Sequence, residues 1–130
     1  MITVDASAIL AIILEEPEGE TCRSLLERAG GGRMSPVNYW EVLARAWTWR
    51  GDIGREAAET VMASLGIEVV EVGRADSRRA ADAFEQFGKR SAAGLNLGDC
   101  FAYALAAREG DGLLYKGDDF GRTDVASALA

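Results

Sequence analysis

Five carboxylates lie where apolar segments of this chain begin or end, and the 130-residue sequence contains no histidine. They are Asp5, Glu41, Asp99 and the adjacent pair Asp118 and Asp119. The lack of histidine excludes acid/base catalysis by imidazole, whereas carboxylate oxygens are the ligands that hard divalent cations prefer. Acids so far apart in sequence form one site only if the fold gathers them.

The segments that must position these acids alternate between short strands and longer helices. Short apolar runs predict strands at 1–4, 67–72 and 113–115. Apolar spacing and glycine stops predict helices at 6–14, 18–29, 36–50, 55–65, 75–90 and 98–109. Strands separated by helices require crossover connections. We therefore expect an α/β fold, with a mostly parallel central sheet between two helical layers.

The positions of the acids relative to these segments predict a shared edge of the sheet. Asp5 directly follows the first strand, and Asp118 and Asp119 follow the last one. Ligands bind outside the carboxyl ends of the strands in open parallel sheets. Asp99 stands in the first turn of a helix that is apolar almost all round. Such a helix is expected to pack on several sides.

The third helix carries an apolar stripe that we expect to face the core. Val37, Trp40, Ala44 and Trp47 recur there at helical spacing. Glu41 lies beside this stripe, where an ionised carboxylate is costly without a partner. We interpret Trp40 and Trp47 as core or dimer interface rather than as a surface for base stacking.

Each acid also has an explanation that requires no ligand. Asp5 is suited to cap the helix that follows it, and the helix dipole stabilises Asp99. Glu41 lies four residues before Arg45, the spacing of a surface ion pair worth ~0.3–0.5 kcal/mol. The 118–119 pair beside glycine is typical of a turn. Convergence of several carboxylates in one cleft would nevertheless raise their pKa values unless a cation neutralised them.

Composition and charge narrow the class of protein. The length fits one domain, 48% of the residues are hydrophobic and the formal net charge is −7. This charge argues against broad, sequence-independent binding of nucleic acid, but it allows a small local site. Cys22 and Cys100 have neither metal-ligand nor disulfide spacing, so we expect buried thiols in a reducing cytoplasm. The apolar N-terminal run is too short to span a bilayer, and no membrane association is expected.

An ordered set of short motifs along the whole chain carries a family resemblance. The motifs are Asp5-x-Ser7, Asn38-x-x-Glu41, Gly94-Leu95-Asn96-x-Gly98-Asp99-Cys100, Lys116-Gly117-Asp118-Asp119-Phe120 and Thr123-Asp124. The set resembles PIN-domain ribonucleases and, more narrowly, the VapC toxins of bacterial toxin–antitoxin pairs. This resemblance implies a single PIN domain over residues 1–130 that forms an α/β/α sandwich and cleaves RNA endonucleolytically. It also implies Mg²⁺ as cofactor with Mn²⁺ able to substitute, a homodimer, and neutralisation by a small VapB-type antitoxin.

The resemblance assigns roles to three of the acids. Asp5 and Asp99 match the central metal ligands of the family. Glu41 matches the third catalytic acid, which holds a second metal or orients the attacking water. A carboxylate-held Mg²⁺ lowers the pKa of a bound water and neutralises phosphoryl oxygens, so this chemistry needs no histidine.

The fourth acid and the accessory residues are less sharply specified. Family members often carry Thr-x-Asp after the last strand. Aligning Lys116 on that threonine favours Asp118 over Asp119 as the fourth catalytic acid. Ser7 matches a small hydroxyl residue that binds a metal-bound water or the scissile phosphate. Lys116 and Arg45 are further candidates, for positive charge near the phosphate.

Two other functions are compatible with parts of the sequence. One is a catalytically silent PIN-like module that only binds a partner. An intact acid set argues against it, because a pure binding surface does not need buried carboxylates that repel one another. The other is a phosphatase or phosphotransferase with Asp5 as nucleophile. Such sites usually carry a second acid two residues later, where this chain has Ser7.

Overall fold

A four-stranded parallel sheet forms the centre of the structure, a computed structural model that describes residues 1–129. The strands are β1 (Ile2–Val4), β2 (Gly32–Met34), β3 (Ile67–Val69) and β4 (Leu113–Leu114). Their spatial order is β3-β2-β1-β4, and every neighbouring pair is parallel. The first strand therefore lies inside the sheet, between the second strand and the last.

Five α-helices and one 3₁₀-helix connect and follow the strands. They are α1 (Ala6–Ile13), α2 (Gly19–Ala29), α3 (Pro36–Ser64), α4 (Arg74–Phe87), α5 (Leu97–Glu109) and the 3₁₀-helix Phe120–Arg122. The two helices predicted on either side of Gly51 run on as α3, with a kink. Arg50 and Gly51 leave helical conformation at that kink, and Gly51 has a φ of 57°. Glycine adopts this left-handed conformation at little cost.

Helices cover both faces of the sheet, as the sequence predicts. Successive residues of a strand point to opposite faces, and β4 shows this directly. Leu114 belongs to a buried cluster that includes Val4 and side chains of α1, α2 and α3. Leu113 belongs to a second cluster, built mainly from α4 and α5. The predicted α/β/α sandwich with a parallel sheet is confirmed.

The strand β2 was not predicted from the sequence. The glycines at 30–32 resemble a simple helix stop, and only three residues separate them from the next helix. In the structure Gly32 pairs with Ile2 of β1 and is buried. A Cβ at Gly32 would lie 2.6 Å from Cγ2 of Val4. Gly32 is thus required for close packing between β1 and β2. The sequence alone suggests only that it ends a helix.

The predicted core-facing stripe of α3 is wrong by two positions. The side chains that face the core at its start are Asn38, Val42 and Ala46. Trp40 and Trp47 are 68% and 56% exposed, so neither belongs to the core. The error has a physical reason, because a buried polar residue opens the true stripe and hydrophobicity alone selects the neighbouring face.

Two simpler expectations concern the cysteines and the membrane. Cys22 and Cys100 are buried and free, so the prediction of buried thiols is confirmed. None of the helices within residues 1–129 has the length and apolar character needed to cross a membrane.

Candidate active site

Asp5 lies at the carboxyl end of β1 and caps helix α1. Its Oδ2 accepts a hydrogen bond of 3.0 Å from the backbone N–H of Ser7. Its own N–H donates to the carbonyl oxygen of Leu114 in β4, at 2.9 Å. Asp5 is only 4% exposed. It therefore acts as a helix cap, and the same contacts fix a buried carboxylate at the edge of the sheet.

Asp99 is held in the first turn of α5 by a reciprocal cap. The Asn96 side chain accepts a hydrogen bond of 2.9 Å from the N–H of Asp99. Asp99 Oδ2 in turn accepts one of 3.0 Å from the N–H of Asn96. This capping box fixes the first turn of α5 and with it the position of the carboxylate.

A fully buried amide, that of Asn38, joins the elements that carry the acids. Its Nδ2 donates to Oε1 of Glu41 at 2.9 Å and to the carbonyl oxygen of Gly98 at 3.0 Å. Oδ1 of Asp5 lies 3.5 Å from the same nitrogen. The amide oxygen accepts a bond of 3.0 Å from the hydroxyl of Ser35. One side chain thus ties the end of β1 to α3 and α5.

The sequence motif contains Asn38, but no role was predicted for it. The signal that identifies it is its register on α3. Asn38 precedes Val42 and Ala46 by four and eight residues, so it continues the buried stripe. A buried amide requires hydrogen-bonding partners, and the acids supply them.

Glu41 reaches the site through a gap that a glycine provides. The backbone of Gly98 in α5 faces the Glu41 carboxylate so closely that a Cβ at this position would clash with both carboxylate oxygens. Gly98 is also the residue whose carbonyl Asn38 binds. The glycine in the Gly98-Asp99 motif therefore makes room for the third acid, a role that the sequence analysis did not assign.

Three of the five acids predicted to converge do so. Asp5, Glu41 and Asp99 line one open pocket of about 310 Å³. The other lining residues are Ala6, Ser7, Leu10, Trp40, Ala44, Arg45, Thr48 and Asn96. Within residues 1–129, no three acids or cysteines are close enough to form a ready-made metal-ligand group. The three acids therefore share a pocket without forming a ready-made ligand group.

Burial and mutual repulsion weaken the acidity of all three side chains. Burial, with smaller contributions from Asp99 and Glu41, raises the pKa of Asp5 to about 7, and the hydrogen bonds from Ser7 oppose the rise. Burial also raises the pKa of Glu41, as does Asp99, while the bond from Asn38 lowers it. The pKa of Asp99 is raised by burial and by the charge of Asp119. The pocket therefore disfavours the charged form of each acid, and positive charge within it would offset this effect.

The predicted fourth acid lies in the loop after β4. Asp118 and Asp119 are both exposed, and Asp119 immediately precedes the 3₁₀-helix. The charge of Asp119 contributes to the raised pKa of Asp99, which places Asp119 within electrostatic reach of the site. The preference for Asp118 stays a prediction, and this coupling favours Asp119 instead.

The accessory residues differ in how they relate to the pocket. Ser7 lines it, and its Oγ accepts a hydrogen bond of 2.9 Å from the N–H of Lys116. The ammonium group of Lys116 forms an ion pair with Glu16, which raises the pKa of that lysine. Arg45 lines the pocket, and its charge lowers the pKa of Glu41. Arg45 is therefore better placed than Lys116 to meet a phosphate.

The donor chemistry of the pocket suits a hard divalent cation. Carboxylate oxygens are the ligands that Mg²⁺ and Mn²⁺ take from proteins. The charge of a divalent cation among Asp5, Glu41 and Asp99 would offset the burial and the repulsion that raise their pKa values. The residues present thus fit the cofactor that the sequence predicts.

Comparison with known proteins gives one family by sequence, and a solved structure that shares the fold. The sequence model of the PIN domain matches residues 2–126. Ribonuclease VapC42 of Mycobacterium tuberculosis is 40% identical over 128 residues, covering 96% of this chain and 97% of that protein. Ribonuclease VapC of Mycolicibacterium smegmatis is 36% identical over 127 residues, covering 95% and 97%. The crystal structure of Mycobacterium tuberculosis VapC20, a Sarcin-Ricin loop cleaving toxin, superposes with a TM-score of 0.80, 16% identity and 97% coverage of both chains.

Proposed function

This chain belongs to the PIN-domain family, and we propose that it is a VapC-type toxin that cleaves RNA endonucleolytically with the help of Mg²⁺. The observation that carries the proposal is the convergence of Asp5, Glu41 and Asp99 in one pocket beside the carboxyl end of β1. Relatives named as VapC ribonucleases match nearly the whole chain, which supports the same activity.

Each acid of the pocket, and Arg45, would have a separate role in phosphodiester hydrolysis. Asp5 and Asp99 would hold the cation, since caps fix both carboxylates relative to the sheet. A bound Mg²⁺ supplies a water of lowered pKa and neutralises charge on the phosphoryl oxygens. Glu41, positioned by Asn38, would orient the attacking water. Arg45 would attract the phosphate of the RNA.

The proposal extends to partners. We infer that a small VapB-type antitoxin neutralises the protein, that the toxin is a homodimer, and that it acts in the cytoplasm as a single PIN domain. Exposed apolar side chains, among them Ile53, Phe84 and Leu97, offer surface for such contacts. The antitoxin is what the resemblance to VapC toxins implies, and the relatives named VapC support it.

Removal of divalent cations is expected to stop RNA cleavage completely. Purified protein treated with a chelator should leave single-stranded RNA intact, and added Mg²⁺ or Mn²⁺ should restore cutting, since the acids alone provide no activated nucleophile. Gel analysis of a labelled RNA measures both states. Cleavage that persists in excess chelator would contradict the proposal. A parallel assay with a phosphate monoester distinguishes the two proposed activities. A nuclease should cleave the RNA, whereas a phosphatase should hydrolyse the monoester and leave the RNA intact.

Asp119→Asn is expected to reduce cleavage more than Asp118→Asn. Loss of an outer partner of a metal site typically lowers activity about 10–100-fold, and Asp119 is the member of the pair whose charge reaches Asp99. Rates of RNA cleavage at saturating Mg²⁺, measured side by side, compare the two variants. Each serves as the control for the other, because both residues are exposed in the same loop. The reverse ranking would restore Asp118 as the fourth acid.

A further inference from the structure

Trp40 forms part of the rim of the pocket that contains the three acids. Its side chain is 68% exposed although it is one of the largest apolar groups in the chain. It lines the same pocket as Asp5, Glu41 and Asp99. A large indole left in solvent beside an acidic pocket contributes little to the core, so its position points to a ligand that covers it.

The surface of α3 next to this indole carries small side chains. Trp40, Ala44 and Thr48 all line the pocket and are spaced four residues apart, so they lie along one face of the helix. The small side chains of Ala44 and Thr48 leave space beside the indole. A flat ring bordered by small residues suits the face of another flat ring.

The scarcity of positive charge in the pocket indicates why stacking of a base on Trp40 would contribute to RNA binding. Arg45 is the only basic residue among those that line the pocket, and the formal net charge of the chain is −7. Phosphate neutralisation by basic side chains, the main source of affinity in many nucleic-acid complexes, is therefore weak at this site. Stacking of a base on an aromatic ring adds affinity without positive charge, and a neighbouring arginine reinforces it.

We propose that Trp40 is the stacking platform for one unpaired base of the RNA, next to the phosphate that the acids act on. The inference rests on the proposed function, because it places the base relative to the cleaved bond. The pocket, of about 310 Å³, is at the small end of ligand sites and accommodates a nucleotide rather than a duplex. Trp40 is thus a determinant of single-strand selectivity, and it takes no part in the chemical step.

The chain provides a matched control seven residues along the same helix. Trp40 and Trp47 are both exposed, at 68% and 56%. Trp47, however, is not among the residues that line the pocket. A general effect of removing an exposed indole from α3 would appear in both variants. An effect of base stacking at the acids would appear only at Trp40.

The test measures binding of a single-stranded oligoribonucleotide in excess chelator, which removes the divalent cation that cleavage requires. Titration without metal is followed by fluorescence anisotropy of a label on the oligonucleotide. Trp40→Ala should weaken binding about tenfold, Trp40→Phe should restore most of the affinity, and Trp47→Ala should match the wild type. A series of ligands with one abasic nucleotide at each position then locates the stacked base. One position should weaken binding to the wild type and to Trp47→Ala, yet make no difference to Trp40→Ala.

Equal affinities of the Trp40→Ala and Trp47→Ala variants would overturn the inference, as would an abasic effect that survives in Trp40→Ala. Loss of affinity for a co-expressed antitoxin in Trp40→Ala, with RNA affinity unchanged, would assign the indole to a protein interface and also overturn it. Cleavage of unmodified RNA by the wild type with Mg²⁺ is assayed separately. Absence of cleavage there would contradict the proposed function, while the binding series still decides whether Trp40 stacks a base.

Discussion

Asp5→Asn is expected to lose RNA cleavage by more than about 100-fold and, without metal at neutral pH, to melt at a higher temperature than the wild type. The loss of activity follows from removal of a proposed metal ligand, because even outer partners of such ligands contribute about 10–100-fold. The gain in stability follows from burial. Asn keeps the helix cap that Asp5 makes with the N–H of Ser7 but carries no charge into the interior.

The sign of the pH effect follows from the direction of the shift. The pKa of Asp5 rises from 3.8 to about 7 on folding, so the folded chain binds more protons than the unfolded chain between these values. Stability of the metal-free wild type should therefore fall as pH rises from about 4 to about 7, by up to roughly 4 kcal/mol from this group. Asp5→Asn removes this part of the pH dependence.

Thermal melts in chelator across this pH range, repeated with Mg²⁺, test the prediction. Mg²⁺ should raise the melting temperature of the wild type, since it binds the ionised acids of the folded state only, and it should have little effect on Asp5→Asn. Asp82→Asn is the matched control, because Asp82 is exposed on α4 and away from the pocket. A variant Asp5→Asn that cuts RNA normally, or that melts below the wild type at pH 7, would contradict the placement of Asp5.

Gly98→Ala is expected to lower cleavage about 10–100-fold while leaving the protein as stable as the wild type or slightly more so. The added methyl group would occupy the space of the Glu41 carboxylate, so this flexible side chain must move away. Displacement of a catalytic group by about 1 Å is enough to lower a rate about 100-fold. Alanine favours the helix over glycine by up to about 1 kcal/mol, so folding is not impaired.

Rates of RNA cleavage and melting temperatures together measure the effect of Gly98→Ala. Gly73→Ala is the control, because a Cβ at that position meets no atom within 4 Å. Glu41→Gln should lose activity to a similar degree, since both changes remove the same carboxylate from the pocket. Normal cleavage by a well-folded Gly98→Ala protein would show that the site does not use Glu41 as placed.

The part of the site that lies at strand ends could be predicted from the sequence. Asp5 follows the first strand and the Asp118–Asp119 pair follows the last, and parallel strands bring their carboxyl ends to one edge of the sheet. The position of Asp99 followed from its place in the first turn of an apolar helix. These predictions depend on element order alone, which short apolar runs and glycine stops reveal.

The parts that were missed depend on packing between distant elements. Asn38 looks like an ordinary polar residue until its helix register is known, and Gly32 looks like a turn until its contact with Val4 is seen. Trp40 and Trp47 were assigned to the core-facing stripe because hydrophobicity predicts burial, whereas here the indoles are exposed. Such roles are set by which surfaces meet, and local sequence does not specify that.

The order of the strands bears on when a nascent chain acquires its acidic pocket. The central strand β1 is synthesised first, but β4, one of its two neighbours, emerges more than a hundred residues later. This last strand holds the backbone of Asp5 through Leu114, and the loop after it binds the hydroxyl of Ser7. Contacts of such sequence separation form late in folding. A nascent chain that lacks β4 therefore lacks the fixed acid geometry, and the site forms only after the last strand of the sheet has been made.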